Sequence, residues 1–309
     1  MFHFIVNPNS RSGLGKEVWN DIEKTLNLKN IEYKVYFTKY QRHATKIVAE
    51  ITSDGEEHKI VALGGDGTIG EVVTGIADPE KVTLGYIPIG SGNDFARGLK
   101  IPKDTAAALD VILYSTYRKK LNLGVLTAPD TSRRFAVSSG FGYDAEICHK
   151  VVVSPLKKFL NKLKLGKLAY VSLSLSTLYT MEPKEATLIL DDEKEVHFDK
   201  MFFATAMNLP YEGGGCKFCP KAKSDDDLLD VIVIADIRKI GALPILLTVY
   251  AGLHTRLPGV HLYKCKKAEI KSAKPLSIHS DGEPIFQQET VTFSLEEKST
   301  RIILPENRY

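Results

Sequence analysis

Gly64-Gly65-Asp66-Gly67-Thr68 is the stretch on which the reading turns, a glycine-rich break between the apolar run Lys59 to Leu63 and a helical pattern carrying Val72, Val73 and Ile76. A short β-rich run that passes through such a turn into a helix is one unit of a parallel sheet. Similar units flank it. Phe2 to Val6 is followed by Asn7-Pro8-Asn9-Ser10-Arg11-Ser12-Gly13-Leu14-Gly15, then by Val18, Trp19, Ile22 and Leu26 at helical spacing. Ile31 to Phe37 alternates as a half-buried strand ahead of a helical stretch, His43 to Ile51, and Leu84 to Ile89 breaks at Gly90-Ser91-Gly92-Asn93-Asp94. Strands alternating with helices imply right-handed crossovers and a parallel sheet whose strand C-termini line one edge, where such sheets hold ligands. The glycine turns are expected to open on that edge.

Beyond about residue 123 the texture changes to β-rich runs, among them Phe135 to Ser139, Ala186 to Leu190, Met201 to Ala206, Val231 to Ala235, Ala268 to Ser272 and Val291 to Leu295. Helical insertions are expected near 155–181 and 240–255. The fold class is therefore read as an α/β N-terminal domain with a parallel sheet, residues 1–123, and a larger β-rich, mainly antiparallel C-terminal domain, residues 124–299. The segment 300–309 is available to complete the first domain. A length of 309 residues suits two domains.

Lys plus Arg is 41 and Asp plus Glu is 38, a net charge of +3, without the basic excess of a nucleic-acid binder. No run approaches the roughly 18 to 20 apolar residues of a membrane span, and the N-terminal residues lack a signal-peptide pattern, so a cytoplasmic protein is expected. Cys216 and Cys219 form a single Cys-x-x-Cys with no second pair at ligand spacing, and free thiols are expected for these and for Cys148 and Cys265. Trp19, at helical spacing with Ile22 and Leu26, reads as core. An exposed sheet edge would allow a homodimer.

The glycines at 64–67 let backbone N–H groups approach phosphate oxygens at the start of a helix. Gly65, Gly67 and Gly70 also satisfy G-x-G-x-x-G, but no strand-ending acid follows about 20 residues later, so hydride transfer is disfavoured. There is no G-x-x-x-x-G-K-[ST], which removes the P-loop class. A carboxylate at Asp66 would repel phosphates unless a divalent cation lay between, pointing to a magnesium-bound nucleotide. The plainer alternative is a tight turn chosen for its geometry.

These residues carry a family resemblance. Asn7-Pro8 with Ser12-Gly13, Gly64 to Thr68 with Glu71, and Gly90-Ser91-Gly92-Asn93-Asp94-Phe95-Ala96 resemble the diacylglycerol kinase catalytic-domain family. The match continues through Gly140-Phe141-Gly142-Tyr143-Asp144, Gly213-Gly214-Gly215, Asp225 to Asp230 and Asp281-Gly282-Glu283-Pro284, and is nearest to the bacterial soluble lipid kinases of the YegS/DgkB/BmrU type. The first turn alone is shared with NAD kinases and phosphofructokinases; the other elements narrow it.

The resemblance implies an ATP-dependent kinase that phosphorylates a hydroxyl of diacylglycerol or a similar long-chain lipid, with ATP and Mg²⁺ as cofactors. It implies nucleotide binding by Asn7, Asn9, Ser12, Gly13, Thr38, Gly64, Gly65, Asp66, Gly67, Thr68, Glu71, Ser91, Asn93 and Asp94, with Asp66 tying phosphates to the catalytic Mg²⁺. Glu283, with Asp281, matches the base that takes the hydroxyl proton. A structural Mg²⁺ is implied at Asp226 and the carbonyls of Lys223 and Leu228, although Asp227 replaces the usual glycine and an Asp-rich run is commonly just a solvated loop. Gly70 stands where Asn is common, and Ser91 where Thr is common.

A lipid kinase must meet a bilayer, so transient peripheral membrane association is expected. From Ser154-Pro155, Leu156, Phe159, Leu160 and Leu163 share a helix face while Lys157, Lys158, Lys162 and Lys164 lie off it, a pattern that suits either an anionic membrane or an ordinary surface helix. Two other functions stay in view: an NAD kinase-like or other small-molecule kinase, whose acceptor pocket would be polar where a lipid kinase's is deep and apolar, and a catalytically idle binding module. His43 and His279 read as structural, His279 with the option of tuning nearby Asp281 and Glu283.

Overall fold

Strands β1 (Phe2–Val6), β2 (Tyr33–Phe37), β3 (His58–Gly64) and β4 (Val82–Pro88) run parallel in the computed structural model, which describes residues 1–153 and 166–306, leaving aside the side chains of residues 12, 151–153 and 166–172. Their register places Val6 beside Phe37 and Leu63, and Gly64 beside Pro88. The strands therefore end level. The ladder continues one step past them, with Thr38 N donating to Val6 O, Asn7 N to Leu63 O and Ile89 N to Gly64 O at 2.9–3.0 Å. This common edge exists because the apolar runs Ile60 to Leu63 and Leu84 to Ile87 are matched in register and end together, one at Gly64 and the other at Pro88.

Helix α1 (Ser10–Leu28) lays Trp19, Ile22 and Leu26 on this sheet, Trp19 meeting Phe4 at 5.2 Å and Tyr33 at 5.8 Å between ring centroids. It begins at Ser10, inside the stretch read as a loop to Gly15, and takes left-handed φ at Arg11 and Gly13 in its first turns. Helices α2 (His43–Thr52), α3 (Asp66–Gly75), α4 (Asp94–Leu99) and α5 (Thr105–Tyr114) follow. Helix α3 starts earlier than the sequence suggested. Gly65 is its extended N-cap, so Asp66 sits in the first turn, where the exposed N–H groups favour an acid.

A second sheet holds nine antiparallel strands: β6 (Gly124–Ala128), β7 (Thr131–Phe135), β8 (Ser138–Gly142), β9 (Lys184–Leu190), β10 (Lys194–Met207), β11 (Leu229–Ala235), β12 (Val260–Cys265), β13 (Lys267–Ser280) and β14 (Glu283–Leu295). The long strands β10 and β13 each pair first with β9 and then with β8, changing partner between Met201 and Phe203 and between Ser272 and Ile278, where their other ladders also shift register. A bulge bends its strand, which is what lets one strand serve two neighbours. Phe135, Phe141, Phe198 and Phe293 fill the core between these strands. Helix α6 (Tyr143–Val153) follows β8, and a further helix spans Gly166–Thr180. The expected amphipathic stretch at 154–164 lies outside the described residues.

Phe135 to Ser139 was expected as one strand and is two. The chain breaks at Ala136–Val137 because the N–H groups of Ala136, Val137 and Ser138 donate to the Asp281 carboxylate instead of to a ladder. After β14 the chain crosses back, and β15 (Thr300–Ile303) inserts parallel to β4 and antiparallel to β5 (Arg118–Leu121). The first sheet thus has the order β2-β1-β3-β4-β15-β5. Among the described residues no helix is long and apolar enough to cross a membrane.

Candidate functional site

The level strand ends of the first sheet and the β13–β14 turn of the second enclose a cleft of about 480 Å³. Its walls include Asn7, Asn9, Thr38, Gly65, Gly67, Thr68, Glu71, Ser91 and Glu283. Asn7 ties two of these loops, donating from Nδ2 to Thr68 Oγ1 at 3.2 Å and accepting at Oδ1 from Asn9 N at 3.1 Å. Gly65 and Gly90 touch backbone to backbone: a Cβ on Gly90 would fall 2.6 Å from Gly65 Cα, so the two glycine turns close on each other only as glycines. Asn93 takes left-handed φ and fastens its own turn through Nδ2 to Gly90 O at 3.0 Å.

Behind this wall lies a group of carboxylates. Asp66 Oδ1 accepts from Phe95 N at 3.0 Å, and burial raises its pKa against the pull of these N–H groups and of Arg97. Asp94 accepts from Gly214 N at 2.6 Å and pairs with Arg97 at 3.3 Å; burial, then the Asp66 charge, push its carboxyl up to about 6. Asp281 is fully enclosed, and burial lifts it to about 7 even though three N–H groups at 2.8–3.1 Å oppose that rise. Glu283 is raised by burial and then by Glu71. All four are oxygen donors whose charge is costly as they stand, a set that fits a hard cation such as Mg²⁺ beside Asp66.

Gly70 explains how two sheets meet here. A Cβ at that position would fall 2.8 Å from Asp281 Oδ2, so the bare helix face lets the second sheet's carboxylate pack on α3. The asparagine common at this position would have to displace the Asp281 carboxylate. Glu71 has a structural task as well: its oxygens accept from Arg42 N at 2.8 Å and Ala44 N at 3.0 Å, capping α2, whose own N-cap makes no side-chain hydrogen bond. His43 starts α2 and accepts at Nδ1 from Lys39 N.

On the far side of Glu283, Gly67 and Glu71 lies a smaller cavity of about 240 Å³, also lined by Arg42, Thr45, Thr74, Ser132, Arg133, Arg134 and Asp281. Its lining differs from the deep, apolar acceptor pocket expected of a lipid kinase. The space next to Glu283 is lined by charged residues, Thr, Ser and Gly rather than by large apolar side chains, the β7 residues that wall it being Thr131 to Arg134. Arg133 stands 3.8 Å from Glu283, and Arg134 is held by Glu296 at 2.7 Å. Sequence reasoning missed these arginines, whose only signal was an Arg-Arg pair at the end of a β-run.

Of the remaining expected residues, Gly64 lies under the cleft, its carbonyl accepting from Ile89 N and Tyr86. Gly13 is in α1 and does not line the cleft, and the side chain of Ser12 lies outside the described residues. Lys223, Asp226 and Leu228 are not brought to this site. Asp226 is already occupied, Oδ2 by Lys264 Nζ at 2.8 Å and Oδ1 by Leu228 N at 3.3 Å. Asp225 pairs with Lys119 at 3.2 Å, and Asp227 takes left-handed φ, as the usual glycine would, while binding Lys120 and Asn122. As folded, the loop's carboxylates are taken up by lysines and by N–H and amide groups of the chain itself.

His279 is buried between Asp144 at 3.1 Å and Glu212 at 3.2 Å. Burial works against its charge, but Cys148, Glu212 and Asp144 outweigh it and raise its pKa well above the usual value. This ion group braces the strand that delivers Asp281 and Glu283. Glu212 also opens the loop whose Gly214 holds Asp94.

Comparison with known proteins gives matches across both sheets. Residues 1–125 match the diacylglycerol kinase catalytic domain, and residues 138–302 match the YegS C-terminal NAD kinase beta sandwich-like domain. The chain is 30% identical over 282 residues to a diacylglycerol kinase of Staphylococcus epidermidis, covering 90% of this chain and 84% of that one. Among solved structures, a diacylglycerol kinase from Bacillus anthracis superposes with a TM-score of 0.71 at 21% identity, covering 99% of this chain and 97% of the other. An NAD kinase from Archaeoglobus fulgidus in complex with ATP shares the fold at a TM-score of 0.54 and 14% identity, covering 100% and 96%.

Proposed function

The chain belongs to the diacylglycerol kinase catalytic-domain family, in the bacterial branch that carries the YegS-type C-terminal domain, and on that premise we propose that it transfers the γ-phosphoryl group of ATP to a hydroxyl of diacylglycerol or a similar long-chain lipid. The observation that carries the reading is the place of Glu283, on the wall shared by the glycine-lined cleft and the polar cavity beyond it. A phosphate donor on one side and a hydroxyl on the other would meet at this carboxylate.

In this reading the N–H groups of the turn at Gly65–Thr68 and the start of α3 receive the phosphates. Mg²⁺, held on the Asp66 side, would neutralise charge on the phosphate oxygens. Glu283 takes the proton of the acceptor hydroxyl as its oxygen bonds the γ-phosphorus and the bond to the bridging oxygen breaks, releasing ADP. Burial and Glu71 make Glu283 a stronger base than an exposed glutamate. Asp281, fixed by three backbone N–H groups, positions the turn that carries Glu283. Arg42, Arg133 and Arg134 line the acceptor cavity together with Glu71, Asp281 and Glu283, and their guanidiniums supply donors for the phosphorylated product.

The test is transfer from radiolabelled ATP to a panel of lipids in mixed micelles, run beside Glu283→Gln. A lipid product that needs Mg²⁺ and falls at least roughly a hundredfold in the variant is expected. Full activity in Glu283→Gln would remove the base assignment. The polar lining of the small cavity favours one second reading, a kinase acting on a small polar alcohol, and polar acceptors in the same assay decide between them.

A further inference from the structure

Residues 240–255 contain no Asp, Glu, Lys or Arg, yet much of this segment faces water. It folds as a short helix, Ala242–Thr248, between the turns Lys239–Gly241 and Val249–Ala251. One side is core: Ala242 and Ile245 pack with Phe202, Phe203, Ile232 and Ile234. The other side carries Ile240, Leu243, Leu247, Tyr250 and Leu253, with Ile240 75%, Leu247 80% and Leu253 66% exposed. A surface helix of a water-soluble fold ordinarily presents polar residues at these positions, three and four apart. Tyr179, 83% exposed, extends the patch, since Lys239 Nζ reaches its carbonyl at 2.7 Å.

The rim of this apolar face is cationic. Arg238 and Lys239 precede the segment, Arg256 follows it, and Lys217 lies beside it through its N–H to Val249 O at 3.0 Å. The nearest preceding acid, Asp236, accepts from Lys200 N and shares a surface pocket with Asp199, Lys200, Arg238 and Lys239, so the cations outnumber the acids around the face. An uncharged apolar face ringed by cations complements an anionic lipid surface, and the segment is far too short to cross one. We infer that the 240–253 face docks on an anionic bilayer, lying in the interface with Ile240, Leu243, Leu247 and Leu253 inserted.

The inference rests on the lipid-kinase reading and deepens it. Tyr250 shares a hydrogen bond with Cys216, which ends the Gly213–Gly215 loop that holds Asp94. The docking face is thus joined directly to the acid cluster. It also accounts for the polar cavity at Glu283: a lipid whose chains stay in the bilayer needs room in the protein only for its hydroxyl end.

Co-sedimentation with vesicles of phosphatidylglycerol and phosphatidylcholine, against phosphatidylcholine alone, tests this. Binding to the anionic vesicles is expected, weakened about tenfold in Leu247→Asp, which alters an exposed side chain and leaves the fold intact. Leu247→Trp should shift its emission to the blue with anionic vesicles only. Undiminished binding of Leu247→Asp, or a wild-type dimer that this variant splits, would overturn the inference, the second by showing that another copy of the chain covers the face. A short-chain, monodisperse diacylglycerol separates the two readings. Equal rates in wild type and Leu247→Asp are expected there. If no acceptor is phosphorylated while vesicle binding still depends on Leu247, the docking face stands and the kinase reading falls.

Discussion

Two regions of this chain concentrate acid, and they treat it in opposite ways. Asp225, Asp226 and Asp227 lie in a loop and Asp230 at the start of β11 beside it, where Lys119, Lys120 and Lys264 reach every one of them. Lys120 and Asn122 hold the Asp227 carboxyl below its usual value. Asp66, Asp94, Asp281 and Glu283 lie at the meeting of the two sheets, Asp94 and Asp281 buried and Asp66 and Glu283 half-buried, with no lysine among them, and each is pushed upward, loss of hydration being the first cause. The nearest cations, Arg97 and Arg133, stand 3.3 and 3.8 Å away from Asp94 and Glu283. A raised carboxyl marks charge the fold has left unbalanced, which is where a cation and a phosphate donor have something to gain. In the other group every acid has a lysine within reach, and burial raises only Asp230.

Removing one acid from the unbalanced group should therefore have the largest effect. Asp66→Asn is expected to lower phosphoryl transfer at least roughly a hundredfold while leaving the protein folded, since amide and carboxylate are nearly isosteric. A measured kcat close to wild type would put the cation elsewhere. Thermal unfolding should rise or stay level in the variant, because the carboxylate lost was disfavoured by burial.

The same contrast predicts a pH dependence. Asp281 has its folded pKa raised to about 7 from 3.8, so protonation is favoured by folding. Its contribution to stability is whole below about 4 and is lost as pH rises through 7, with an upper bound of about 4 kcal/mol. Nucleotide-free protein should melt higher at pH 5 than at pH 8, and Asp281→Asn should flatten that slope. An unchanged slope in the variant would show that the burial of Asp281 does not govern it.

How much of this was legible beforehand follows from the range of each interaction. Gly64 to Thr68 and Gly90 to Asp94 announce their turns locally, and the level strand ends follow from apolar runs of similar length. Asp66 was readable as an acid among phosphate-binding glycines. The break of Phe135 to Ser139 was not, because it depends on Asp281, far along the chain. The His279 group joins Asp144 of α6, Glu212 of a loop and His279 of β13, and no spacing in the sequence announces that. The exposed face at 240–253 was missed for another reason: an apolar helix in a β-rich domain reads as core, and only burial shows that half of it is not.

The smallest effect expected is at the balanced loop, and it discriminates most sharply. Lys264 bridges Asp226 at 2.8 Å and Asp230 at 3.3 Å, where a divalent ion would otherwise have to sit. With the lysine partly exposed, Lys264→Met should cost about 1–2 kcal/mol, more than a surface pair because Asp230 is buried. Asp66→Asn is the background to use, since it silences the other candidate ion site. In that background, exchanging Mg²⁺ for a chelator should leave the melting temperature unchanged; adding Lys264→Met should make it respond to Mg²⁺, the ion taking the place of the ammonium. If Asp66→Asn alone is already stabilised by Mg²⁺, and Asp226→Asn removes that gain, then the loop holds an ion despite its lysines and the two acidic regions are more alike than their counter-charges suggest.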